Sequence, residues 1–67
     1  MSTVSLSEWT TRQSFRDDPI GDLARDAAVD PNWPQHADLG ELREYLPESL
    51  HPILGEAEDE RREEEGK

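Results

Sequence analysis

Asp18-Pro19-Ile20-Gly21-Asp22-Leu23-Ala24-Arg25-Asp26-Ala27-Ala28-Val29-Asp30, running into Pro31-Asn32-Trp33-Pro34, reads as a capped amphipathic helix that ends in a proline turn. Asp18 suits the N-cap, where its side-chain oxygen accepts a hydrogen bond from a free first-turn amide. Pro19 suits the first helical position, where its missing N–H has no partner to lose. Ile20, Leu23, Ala24 and Ala27 then fall at i, i+3, i+4 and i+7, one apolar stripe at helical period. On the outer face, the Asp22–Arg25 pair at i, i+3 offsets part of the Asp22–Asp26 repulsion at i, i+4. Gly21 either costs up to about 1 kcal/mol relative to Ala or marks a place where another helix comes close. Pro31 stops the helix. Trp33, held between two prolines, is expected to plug one end of a bundle; the competing reading is a recognition role for the Pro-Trp-Pro neighbourhood.

Working outward, Ser5 with Glu8 three residues later fits a capping box and starts a short helix near Leu6. Leu6, Trp9 and Gln13 share one face of it. Trp9 is expected in the core, since a chain with so few large apolar groups can hardly spare one. Phe15 is expected to tuck under the loop that follows. Asp38-Leu39-Gly40-Glu41 repeats the capping pattern and opens a third helix, with Leu39, Leu42, Tyr45 and Leu46 as its apolar stripe. Pro47 ends it. Leu50, Ile53 and Leu54 form a last apolar cluster, compatible with a fourth short helix.

The expected fold is therefore all-α, a bundle of three to four short helices over residues 5–55. Residues 1–4 read as a flexible lead-in and 56–67 as an acidic tail. Past Gly55 the chain has one alanine and no larger apolar group, so the tail is read as either disordered or an exposed helix aided by Glu58–Arg61 and Glu58–Arg62 pairs. The expected structural core is Trp9, Ile20, Leu23, Ala24, Ala27, Trp33, Leu42, Tyr45 and Leu46.

Composition narrows the function classes. Sixty-seven residues make one small domain, which buries only about 60 % of the surface its unfolded chain exposes. Without cysteine, disulfides and thiolate zinc sites are excluded. Met1 to Leu6 is polar, with no apolar signal-peptide core, and no run approaches membrane-spanning length. A cytoplasmic location is the expectation. The 17 acidic and 7 basic residues give a net charge of −10. The excess is spread along the chain: 6 acids against 3 bases over 1–30, 4 against 1 over 31–55, and 7 against 3 over 56–67. Such a surface repels a phosphate backbone, so direct nucleic-acid binding is disfavoured.

The ordered set Ser5-Leu6-Ser7-Glu8-Trp9, Asp18-x-Ile20-x-x-Leu23-Ala24-x-x-Ala27-x-x-Asp30-x-x-Trp33-Pro34 and Glu41-Leu42-x-x-Tyr45-Leu46 resembles the YozE-type SAM-like family of small bacterial proteins. The resemblance spans residues 4–54 and implies a compact bundle of short helices, similar in outline to sterile alpha motif domains. It brings a fold and no biochemical role. The family's last helix usually carries aromatic anchors, whereas this chain has no aromatic after Tyr45. That helix is then either shortened or held only by Leu50, Ile53, Leu54 and Ala57, which leaves a groove for a partner.

Catalytic chemistry finds little support. His36 and His51 are the only histidines, and neither stands at i, i+3 or i+4 from an acid in a clean ligand arrangement. There is no nucleophile elbow, no Cys–His pair and no phosphate-cradling glycine loop. No metal or cofactor is expected. Two functions remain. One is a protein-interaction module docking through Leu50, Ile53 and Leu54 on another protein, one with a basic surface, or on a second copy. The other is an acidic nucleic-acid mimic or regulator that occupies the basic cleft of a DNA-binding protein.

Overall fold

The computed structural model describes residues 4–65 as four α-helices, with no strand among the described residues. Three of the helices begin at side-chain caps. Ser5 Oγ accepts from the Glu8 amide at 3.3 Å and starts α1, Leu6–Thr11. Asp18 Oδ1 accepts from the Gly21 amide at 2.9 Å and starts α2, Pro19–Val29. Asp38 Oδ1 accepts from the Glu41 amide at 3.0 Å and starts α3, Leu39–Tyr45. Each cap satisfies an amide that has no partner inside its helix. After Pro47, a 3-10 turn, Glu48–Leu50, leads directly into α4, His51–Glu65. The protein is an all-α bundle.

The core gathers Leu6 and Trp9 from α1, Ile20 and Leu23 from α2, Leu42 from α3, and Leu54 and Ala57 from α4. Ala24 and Ala27 are buried as well. α4 packs against each of the other helices and is the strut of the bundle. The loop before α3 is drawn in by Ala37, also a core residue. Ser7 secures it: its amide, unpaired within α1, donates to the Ala37 carbonyl at 3.1 Å, while its hydroxyl accepts from the Ala37 amide at 2.8 Å.

Residue 55 is no boundary. α4 runs through it without a break, and Ala57 is fully buried. The tail is thus neither disordered nor wholly exposed over 56–65; Gly66 and Lys67 lie outside the described residues. The last helix is not shortened, and Trp9, Leu54 and Ala57 close the place where an open groove was expected. The Glu58–Arg61 pair is present at 2.6 Å, and Arg62 stands 3.8 Å from Glu58. Of the lead-in assigned to 1–4, only Val4 is described, and it packs on the core.

Other expectations need correction. Trp33 is half-buried, a lid on the core's flank and not a plug within it. Tyr45 is 41 % exposed: it stands at i+6 from Leu39, about 120° round the helix from it, and about 60° from Leu42, at the edge of the stripe. Leu46 is half-buried, since it lies beyond the last turn of α3. Phe15 is 81 % exposed and does not tuck under its loop. Gly21 does mark a close approach, but of a loop, not a helix. A Cβ there would lie 2.0 Å from the Arg16 carbonyl oxygen.

Candidate functional site

The main concavity lies between α1, the end of α2 and the Pro-Trp-Pro turn. Asp30 builds the turn. It caps α2 in an extended conformation, as the residue before a proline prefers, and accepts the Asn32 amide on Oδ1 at 2.9 Å. The Trp33 amide donates to the Asp30 carbonyl at 3.2 Å. Asp30 Oδ2 accepts the Tyr45 hydroxyl. Trp33 then meets Tyr45 edge-on, with centroids 6.0 Å apart and planes at 85°. Its indole N–H points at the Ser7 carbonyl at 3.4 Å.

The resulting cleft has a volume of about 430 Å³, with Ala27, Ala28, Pro31 and Trp33 among its walls and Glu8 and His36 on the α1 side. Glu8 Oε1 and His36 Nδ1 are 2.7 Å apart, and Arg12 approaches the other Glu8 oxygen at 3.9 Å. The Tyr45 hydroxyl, and then the Asn32 amide, hold the Asp30 carboxyl below the usual carboxylate range against the effect of desolvation. The same bond raises the Tyr45 phenol. At neutral pH Asp30 is therefore an anion whose two hydrogen-bond donors are both neutral.

A Glu–His pair invites a catalytic reading, and its surroundings argue against one. Of the hydroxyls on the wall, that of Thr11 donates to the Glu8 carbonyl at 2.8 Å and that of Ser7 accepts from the Ala37 amide at 2.8 Å, so neither is paired with the imidazole. The His36 side chain is 78 % exposed, so water is not excluded. His51 is structural: its Nε2 lies 2.8 Å from the Arg43 carbonyl and 3.4 Å from that of Leu46, covering the open end of α3. Among the described residues, no group of three His, Cys, Asp or Glu side chains could hold a metal ion.

A second cleft, about 380 Å³, lies between the start of α2 and the middle of α4, with Asp18, Glu56, Asp59 and Glu60 on its walls. Here the chain supplies its own cation. Arg16 makes a fork to Glu60 at 2.8 and 3.1 Å and reaches Asp18 at 2.7 Å. Glu60 first, then Asp18, raises the guanidinium pKa, while the Gly21 amide and then Arg16 hold the Asp18 carboxyl low.

The docking residues expected from sequence do not form a surface. Leu54 is fully buried, and Leu50 and Ile53 pack, half-buried, against the core. The 3-10 turn and α4 fold this cluster inward onto the other helices. Sequence reading also missed the contacts Glu8–His36, Asp30–Tyr45 and Trp9–Glu64, which join residues 28, 15 and 55 positions apart. No periodic pattern reports such pairs. No protein-family model matches the chain, and no curated protein or solved structure matches it either.

Proposed function

We propose that the chain is a non-catalytic protein-interaction module whose partner presents a basic surface. One observation carries the reading: among the described residues five of the six arginines are paired within the chain, and Arg43 alone is exposed without an ion-pair partner. Arg12, Arg16, Arg25, Arg61 and Arg62 all pair with the chain's own carboxylates. Asp26, Glu41, Glu44, Glu56, Asp59 and Glu63 are exposed and have no ion-pair partner among the described residues. A surface with such an excess of one sign steers a partner of the other sign and repels nucleic acid. It repels a second copy equally, so self-association is expected to strengthen only as salt screens the charge.

The YozE-type SAM-like assignment and a cytoplasmic location belong to this proposal. The all-α bundle of short helices capped by Ser5, Asp18 and Asp38 is compatible with the former. No helix among the described residues is long and apolar enough to cross a membrane, which is compatible with the latter.

The mimic reading has one observation in its favour. Glu56, Asp59 and Glu63 are exposed at i, i+3 and i+7, a carboxylate stripe with steps of about 4.5 and 6 Å along α4.

The test is capture of partners from the source cell's lysate by the tagged chain at low and high salt, with the contact region mapped by cross-linking. A partner that elutes with salt and contacts the chain through a net-basic surface supports the proposal. Salt-resistant binding through apolar contacts refutes it. If DNA competes with the chain for that partner, the mimic reading takes over.

A further inference from the structure

We propose that the Trp33 cleft seats one arginine or lysine side chain of the basic partner. The inference rests on the reading above and narrows it to a single pocket.

Size comes first. At about 430 Å³, the cleft falls within the range of ordinary ligand pockets and has ample room for one long side chain. Ala27, Ala28 and Pro31 give apolar wall for the methylene stem of such a residue, which prefers to lie on apolar surface while its charged head stays hydrated. The polar groups then choose the head. Asp30 and Glu8 are acceptors on the two sides of the cleft. The Trp33 indole N–H is turned to the Ser7 carbonyl, so the ring on the cleft wall has no free donor to offer. His36 Nδ1 is turned to Glu8. A lining of carboxylates and an indole ring matches a donor-rich cation.

The second cleft shows what such a lining does when a guanidinium is within reach. There Arg16 bridges Glu60 and Asp18 with charge-assisted bonds of 2.7 to 3.1 Å. The Trp33 cleft has similar acceptors, yet Asp30 has only neutral donors. Arg12 does not substitute: it stands 3.9 Å from one Glu8 oxygen, with 63 % of its side chain exposed. Glu60 and Asp18 in one cleft are paired with a cation of the chain itself; Asp30 in the other is left for a cation from outside.

The experiment is a nuclear magnetic resonance titration of the isotope-labelled chain with a short oligo-arginine peptide and with its citrulline counterpart, at low salt. The arginine peptide is expected to shift the Trp33 indole N–H and the Ala28 amide saturably, and the citrulline peptide is not. Asp30→Asn keeps an acceptor for the Asn32 amide and is expected to weaken binding about tenfold, as loss of one close charge contact does. Asp59→Asn removes the same charge from α4 and is expected to weaken it no more than about twofold. Glu8→Gln, on the other wall, provides a second weakening variant should Asp30→Asn unfold. Equal weakening by Asp30→Asn and Asp59→Asn, or shifts along α4 with Trp33 unmoved, overturns the cleft while leaving the anionic docking reading intact. Failure of the arginine peptide to bind at all overturns both.

Discussion

Gly21→Ala sets two effects of known sign against each other. Helix propensity favours alanine inside α2 by up to about 1 kcal/mol. Space opposes it. The new Cβ would lie 2.0 Å from the Arg16 carbonyl oxygen and 2.7 Å from its carbon, both backbone atoms. An ordinary carbon–oxygen contact is about 3.3 Å or more, so the loop must retreat by more than about 1 Å. It is not free to do so. The Arg16 carbonyl accepts from Arg25 at 2.9 Å, and the Arg16 side chain is forked onto Glu60. Overpacking of this kind costs about 1–3 kcal/mol before the lost bonds are added. The expected net change is a loss of about 2 kcal/mol, or a fall in Tm of about 10 °C for a domain of this size. Gly55→Ala is the control, since a Cβ there meets nothing within 4 Å and only the propensity gain remains. That variant is expected to melt about 5 °C higher. Thermal unfolding followed by circular dichroism reads both. Should Gly21→Ala melt at or above the parent, the close approach of the Arg16 loop would be refuted.

Three other expectations can be checked on the same material. The Thr10 hydroxyl is fully buried without a hydrogen-bond partner, so Thr10→Val is expected to stabilise by about 1 kcal/mol, and a lower Tm would show that the hydroxyl is satisfied after all. Asp18 and Asp30 have carboxyls held below their ordinary range, so their contribution is present above about pH 4 and is lost as pH falls through the folded-state values. Asp18→Asn keeps a good cap but not the charge, and its Tm should fall less steeply on acidification; parallel pH profiles would contradict this. Salt is expected to speed amide exchange in residues 58–65 relative to 51–57, because Glu60 and Glu64 anchor the end of α4 through polar bonds; equal acceleration across the helix would speak against that anchoring.

The helix starts were legible because capping is local. Ser5, Asp18 and Asp38 each accept an amide three residues ahead, a relation that the sequence displays directly. The buried face of α2 was legible because it spans three turns, long enough for the period to repeat. α3 has seven residues, too few to average out an error, and counting Tyr45 into its stripe misplaced the aromatic that holds Asp30 and meets Trp33 behind the cleft. The cleft itself was not legible. Its anion, Asp30, looks like any helix-ending aspartate until Tyr45 folds against it from 15 residues away. The pairing of Glu8 with His36 goes with Ser7 drawing in the Ala37 loop, a contact between residues 30 positions apart that no periodic pattern displays.

α4 shows why an acidic tail without large apolar groups can still be a structural element. Leu50, Leu54, Ala57 and Arg61 follow one another at i, i+4, i+7 and i+11, so the buried stripe continues past the last apolar residue onto an arginine. That position demands a long stem, and the Arg61 side chain is only 14 % exposed. Its guanidinium is then satisfied by Glu58 at 2.6 Å, Glu65 at 2.7 Å and the Val4 carbonyl at 3.2 Å. Glu58 and Glu65 are thus spent within the helix, as Glu60 is spent on Arg16. What remains outward is Glu56, Asp59 and Glu63. The same arginines that hold the strut in place therefore sort the carboxylates into those that build the bundle and those that face a partner.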